Sequence, residues 1–262
     1  MPLDVLYEDN HLLVVNKPAG LATMGDGDRA TLHSLAGSYL KEKYEKPHGV
    51  YVGIVSRLDS LVSGVIVLAR TSKAAARLNA QFAGHARDLN SKTGKPAGGG
   101  EPAGGKNRPP SIRKTYLAVA RAEPHRSAPL ADRGQLDDFL YKDDDAHRMR
   151  AARTVREDAK AASLLFQTLA SSDHSSVLAI APLTGRKHQI RVQLAARGWP
   201  ILGDRKYGSQ TPWPTGIALH SHRLTIEHPT RREPMTFVAP LPVDWNRVRS
   251  RELLAKIDAL SW

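Results

Sequence analysis

The stretch Val55-Ser56-Arg57-Leu58-Asp59-Ser60-Leu61-Val62-Ser63-Gly64-Val65-Ile66-Val67-Leu68-Ala69 decides how this chain is read. From Val65 to Ala69 every residue is apolar, and Val65, Ile66 and Val67 are β-branched. That run is too short for a helix between its neighbours and predicts a buried strand. A helix is expected from Ser72, with Ala75, Leu78 and Phe82 on its inner face. Arg57 and Asp59 then fall in the loop that feeds the strand. Far downstream a second cationic cluster, Gly185-Arg186-Lys187-His188-Gln189-Ile190-Arg191, opens an amphipathic segment. A lone acid set between fixed cations suggests covalent or electrostatic chemistry on a polyanion.

The bulk composition agrees with that direction. The chain has 262 residues, of which 41 % are hydrophobic, enough for a substantial core. Lys and Arg number 38 against 26 Asp and Glu, a net charge of +12. Such an excess is a statement about partners, and a polyphosphate is the first candidate. Neither a basic amphipathic helix nor a long apolar run supports a membrane partner. With no cysteine, disulfides, thiolate nucleophiles and Cys-ligated zinc are excluded. The acidic opening Met1–Asp9 lacks a signal-peptide pattern, so the expected location is cytoplasmic.

Outward from the central stretch, His11–Val15 reads as a strand closed by the turn Asn16-Lys17-Pro18-Ala19-Gly20. Thr31 is placed to cap a helix that carries Leu32, Leu35, Tyr39 and Leu40. Strands are expected at Thr115–Ala120, Ser163–Thr168 and Val177–Ala181, and in separate pieces at Ile217–His220, Leu224–Glu227 and Pro234–Val238. Ile190, Leu194 and Ala195 put an apolar stripe on a helix stopped by Gly198, and a last helix is expected near Glu252–Ala259. Strands outnumber helices without alternating regularly, which predicts an α+β domain with a mixed sheet. Residues 91–110 break the pattern: ten of the twenty are Gly or Pro, and four Lys or Arg face one Glu. They read as a flexible basic loop inserted within one domain spanning 1–262.

A carboxylate beside guanidinium groups is held ionised, which suits a nucleophile or a stabiliser of a developing oxocarbenium. Asp59, with Arg57 and a cation from 186–191, meets that need. By itself the same pair also describes a turn-capping acid with a surface ion-pair partner, which is the commoner arrangement. Arg186 to Arg191 similarly describes either a phosphate site or a solvated helix face. Tyr116, after Arg113 and Lys114, is either a stacking partner for a base or a half-buried sheet aromatic. Gly25-Asp26-Gly27-Asp28-Arg29-Ala30 imitates a dinucleotide loop but stands too far from the preceding strand to serve as one. His220 and His222 share a strand face without a third ligand at useful spacing, so no metal is expected.

Several motifs in register resemble the RluA family of RNA pseudouridine synthases. They are Arg57-Leu58-Asp59 with Ser63-Gly64, then Lys114-Thr115-Tyr116-Leu117-Ala118, then Gly185 to Val192. Gly198 to Asp204 with Lys206-Tyr207-Gly208, the opening Val14 to Gly20 and the closing His220-Ser221…His228-Pro229 continue the match. Only 91–110 falls outside it. The resemblance implies a bent, mainly antiparallel mixed sheet in two halves, with flanking helices and the active cleft between the halves. It implies isomerisation of uridines in ribosomal or transfer RNA by a monomer, without cofactor or metal. Asp59 becomes the essential aspartate, attacking either the sugar or the base, and Arg191 the cation that pairs with it. Arg57 becomes the arginine that fills the space of a flipped-out base. Tyr116 becomes a catalytic residue that packs on the target uracil and helps remove its carbon-5 proton, and Lys114, Arg186 and Lys187 join Arg57 in holding RNA. The small RNA-binding domain that often precedes this catalytic domain is not expected, because the first strand opens near residue 1.

Two positions depart from the family pattern: Ser56 stands where His is frequent, and Val62 where Thr is common. Neither removes a reactive group, so their expected effect is on packing or substrate fit. Two other classes of function are weighed against the isomerase. One is a non-catalytic RNA-binding protein on the same fold, which needs cations but no buried acid. The other is a glycoside or nucleoside hydrolase that pairs Asp59 with a second carboxylate such as Asp204 and releases a free base.

Overall fold

The computed structural model describes residues 2–25, 29–93, 112–122, 130–172 and 174–260. Its centre is strand β4 (Ser63–Ala69), in which every residue is buried; the flanking strands are β1 (Val5–Glu8), β2 (Leu12–Lys17) and β3 (Gly53–Ile54). Side chains alternate across a strand, so β2 and β4 feed two cores. Leu13, Val15, Ile66 and Leu68 join Leu32, Ala36 and Leu40 of helix α1 (Leu32–Lys43). Leu12, Val14, Val65, Val67 and Ala69 join Ala74, Ala75 and Leu78 of helix α2 (Ser72–Thr93). A strand covered on both faces needs an unbroken apolar run, which is the pattern Val65–Ala69 carries.

The second half contains β5 (Arg113–Arg121), β6 (Arg133–Asp143), β7 (Arg148–Ala152), β8 (Lys160–Ser171), β9 (Ser175–Pro182), β10 (Leu219–Glu227) and β11 (Pro234–Val238). Helix α3 (Gln189–Ala195) follows β9, and α4 (Arg251–Asp258) closes the described chain. The sheet runs β1-β2-β4-β10-β5-β9-β8-β6-β7, with β3 on β4 and β11 on β10. The strand pairs are antiparallel except β4–β10, which meet in parallel through only Ser63–His220 and Gly64–Ser221. The two halves therefore join at a narrow seam. Gly64 makes the seam possible: at φ 115° a Cβ there would lie 2.2 Å from the Ser221 carbonyl oxygen.

Local signals place most elements. Thr31 and Ser34 form a reciprocal cap on α1, as the sequence predicts. Four expectations need correction. The expected pieces at 217–220 and 224–227 are replaced by the single strand β10, which starts at Leu219 and leaves out Ile217 and Ala218. It runs through the gap because Ser221 and His222 keep their place by internal hydrogen bonds. Ser221 Oγ donates to the Val65 carbonyl at 3.0 Å, and His222 Nδ1 lies 3.1 Å from that of Ala239. The strand at 163–168 is the middle of the longer β8, whose polar ends are held by neighbouring strands. Strands β1, β3, β6 and β7 lie outside the sequence expectation; β6 hides because Asp138 occupies one of its inward positions, between Leu136 and Leu140. Two donors make that burial tolerable, Gln193 Nε2 at 2.8 Å and Arg197 Nη1 at 2.8 Å. Finally, α2 runs on through Ser91, Lys92 and Thr93, so the 91–110 segment begins as helix; its remainder lies outside the described residues.

Candidate active site

A cleft of about 550 Å³ opens beside the seam. Its walls come from the loop at 22–24, the loop at 55–60, Lys114 and Tyr116 of β5, and the 182–191 segment between β9 and α3. Asp59 sits on one wall and is partly exposed.

The loop carrying Asp59 is tied down from below. Thr23 Oγ1 donates to the Leu58 carbonyl at 2.8 Å and accepts the Leu58 N–H at 3.2 Å. The Gly20 N–H donates to the Ser60 carbonyl at 2.7 Å. Lys17, fully buried beneath, donates to the carbonyls of Leu21 at 2.7 Å and Pro18 at 2.9 Å. Burial lowers its ammonium to about 8, opposed by the charge of Asp59. The opposite wall is stapled by Gln189, whose Oε1 accepts from Thr184 Oγ1 at 2.7 Å and from the Arg186 N–H at 3.0 Å. Its Nε2 donates to the Ser163 carbonyl at 2.9 Å.

Arg191 joins the walls. Its Nη1 donates to Asp59 Oδ2 at 3.1 Å, while Nε and Nη2 form a fork on Asp204 at 2.7 and 2.8 Å. The guanidinium is nearly buried, and its carbon lies 4.9 Å from the centre of the Tyr207 ring. Burial works against its charge, but the bonds to Asp204 and the nearby carboxylates outweigh it and raise its pKa. Asp204 is spent on this fork; Asp59 keeps Oδ1 free of Arg191 and open to the cleft.

Of the residues singled out in the sequence, Asp59, Arg191, Tyr116, Lys114, Arg57, Arg186 and Lys187 all line this cleft. The ion pair is Asp59–Arg191; Arg57 is exposed and, among the described residues, has no charged partner. Arg186 is half-committed, since its Nε donates to the Ala161 carbonyl at 2.9 Å, whereas Lys187 is exposed. Lys114 packs its ammonium 4.6 Å from the Phe82 ring centre, and burial lowers it to about 8. Burial raises the Tyr116 phenol to about 12, helped by the charge of Asp59 and opposed by a bond to Ser221. The free protein thus presents Tyr116 as a protonated hydroxyl.

Sequence reasoning missed the parts played by Asp204 and Tyr207, and by Lys17 and Thr23. For Asp204, Tyr207 and Lys17 the available signal is their place inside quoted motifs; Thr23 lies in none of them. Asp204 offered as a second catalytic carboxylate is corrected: it faces away from the cleft, claimed by Arg191. His220 and His222 are buried core residues, bonded to Ser63 Oγ at 2.9 Å and to the Ala239 carbonyl at 3.1 Å.

A family model described as RNA pseudouridylate synthase matches residues 11–196. The chain is 30 % identical over 241 residues to dual-specificity RNA pseudouridine synthase RluA of Escherichia coli (strain K12), covering 91 % of this chain and 93 % of the relative. It is 32 % identical over 246 residues to the uncharacterized RNA pseudouridine synthase YhcT of Bacillus subtilis, covering 92 % and 70 %. The chain belongs to the RNA pseudouridylate synthase family, on its RluA branch. The solved structure of human RNA pseudouridylate synthase domain containing 4 shares the fold, with a TM-score of 0.67 over 94 % of this chain and 93 % of that one at 23 % identity.

Proposed function

We propose that this protein converts uridines of ribosomal or transfer RNA to pseudouridine, with Asp59 as its catalytic aspartate. The observation that carries the reading is the asymmetric use of Arg191. One carboxylate is buried under its fork, and the other is held by a single donor with an oxygen free toward an open cleft. A carboxylate so placed stays ionised and can attack or stabilise an electron-poor carbon. In the reaction the bond from uracil N1 to the sugar breaks, the base turns, and its C5 bonds to the same anomeric carbon. The proton of C5 leaves and N1 gains one, so the sum is an isomerisation needing no redox partner or group donor.

The remaining cleft residues take roles that suit this chemistry. Tyr116, apolar in body and protonated at its hydroxyl, forms a face on which a detached uracil can rest while it turns. Arg57, exposed at the cleft and without a carboxylate partner among the described residues, is free to occupy the stack a flipped nucleotide leaves. Lys114, Arg186 and Lys187 supply phosphate contacts. The test uses transcripts labelled with tritium at uracil C5. Release by the native protein that vanishes in Asp59→Ala supports the reading; tight binding without release from any transcript overturns it in favour of an RNA-binding role.

A further inference from the structure

The oxygen of Asp59 that Arg191 leaves free faces one more side chain, and that side chain is held with care. His188 precedes α3 with a left-handed φ of 55°, a conformation uncommon outside glycine, though less so for His, Asn and Asp. Its Nε2 lies 3.7 Å from Asp59 Oδ1, and its Nδ1 is 2.7 Å from the Tyr207 hydroxyl. That hydroxyl also accepts the Met149 backbone N–H at 3.2 Å. A phenol carries a single proton. With Met149 as a donor to it, the proton of Tyr207 has one acceptor among the described residues, Nδ1 of His188. Burial keeps the phenol protonated. The imidazole therefore takes its proton on Nε2, the atom aimed at Asp59.

The charges around the ring agree. Burial lowers its pKa; the charge of Asp59 works against this, while Arg191, Lys187 and Lys206 add to it, so the ring is neutral at pH 7. At 3.7 Å, Nε2 and Oδ1 are beyond hydrogen-bond range in the free protein. Hydrogen bonds of this kind commonly tighten only when the substrate is in place.

We infer that His188 is a positioning residue: a neutral Nε2–H donor that holds Oδ1 of Asp59 for attack in the occupied cleft, while Arg191 holds Oδ2. Tyr207 sets its tautomer. The inference rests on the isomerase reading above. It predicts that His188→Ala slows single-turnover tritium release by about 10- to 100-fold with KM for RNA nearly unchanged. His188→Gln, whose amide nitrogen reaches nearly the same point, should recover most of the loss. Equal losses in Ala and Gln, or an effect on KM alone, would overturn the role.

A second measurement needs no substrate. Nitrogen-15 spectra of the full-length protein at neutral pH should show His188 protonated on Nε2 only, and the Nδ1 signal should move in Tyr207→Phe. A ring protonated on Nδ1, or on both nitrogens, overturns the inference. Native protein that releases no tritium from any transcript overturns the isomerase reading and this role with it. Full release by His188→Ala overturns the role of His188 alone.

Discussion

Two carboxylates meet Arg191 from opposite sides, and their surroundings could hardly differ more. Asp204 is buried, 1 % exposed at its side chain, and accepts two short bonds from one planar fork. Asp59 is 30 % exposed and, among the described residues, its carboxylate accepts a single bond of 3.1 Å at the cleft wall. The same guanidinium is thus a structural brace on one side and an orienting donor on the other. A buried acid whose oxygens are both committed cannot attack anything, whereas a half-open acid with a free oxygen can.

The sharpest break of that comparison is on the cleft side. Asp59→Ala should lower tritium release by at least about a thousand-fold, about 4 kcal/mol of barrier. Its thermal midpoint should stay near that of the native protein, because the group removed is partly solvated. Unfolding of Asp59→Ala far below the native midpoint would show that Asp59 also braces the fold. Asp204→Ala reverses the signature. It strands a buried guanidinium and should cost about 3 to 4 kcal/mol of stability in denaturant titrations; an unfolding midpoint equal to that of the native protein would show that Asp204 is no brace.

A third carboxylate, remote from the cleft, extends the contrast. Burial alone would raise Asp9, but the N–H groups of His11 and Leu12, the Tyr7 hydroxyl and His228 outweigh it and hold it at about 2, below its ordinary 3.8. A group lowered on folding stabilises the native state above its unfolded pKa and loses that contribution as pH falls through its folded one. Asp9 should therefore supply about 2 kcal/mol at neutral pH, lost between about pH 4 and pH 2. Asp9→Asn should be less stable by that amount at pH 7, and the gap to native should close toward pH 2. A constant gap across that range would sink the assignment.

The smallest expected effect is at Tyr116. Because its phenol is protonated, Tyr116→Phe removes a donor and leaves the stacking face, so release should slow only about tenfold, close to the worth of one hydrogen bond. A loss as deep as that of Asp59→Ala would instead mark the hydroxyl as essential to the proton transfer.

Particular residues show what was legible in advance. Val65–Ala69 announced a buried strand because apolar continuity is the signature of a strand covered on both faces. Asp59 and Arg191 stood out as acid and cation, and the cleft brings both together. Strand β6 escaped notice because Asp138 breaks its alternation, and the donors that excuse Asp138 lie about sixty residues away on Gln193 and Arg197. Asp204 is visible as a carboxylate, and the hydrolase alternative makes it a second reactive group, since nothing local says which way it faces.

By itself, then, the sequence determined the strand-rich α+β character, the two-faced central strand and the residue types available for chemistry, because periodicity and composition act over a few neighbouring residues. Only the tertiary structure decided that Gly64 passes against Ser221, that the Asp59–Arg191 pairing implied by the family resemblance forms while Arg57 stays out of it, and that Asp204 lies behind it. Those outcomes depend on distances between segments more than a hundred residues apart in two of the three cases, and on which oxygen is left facing water once the guanidinium has chosen its partners.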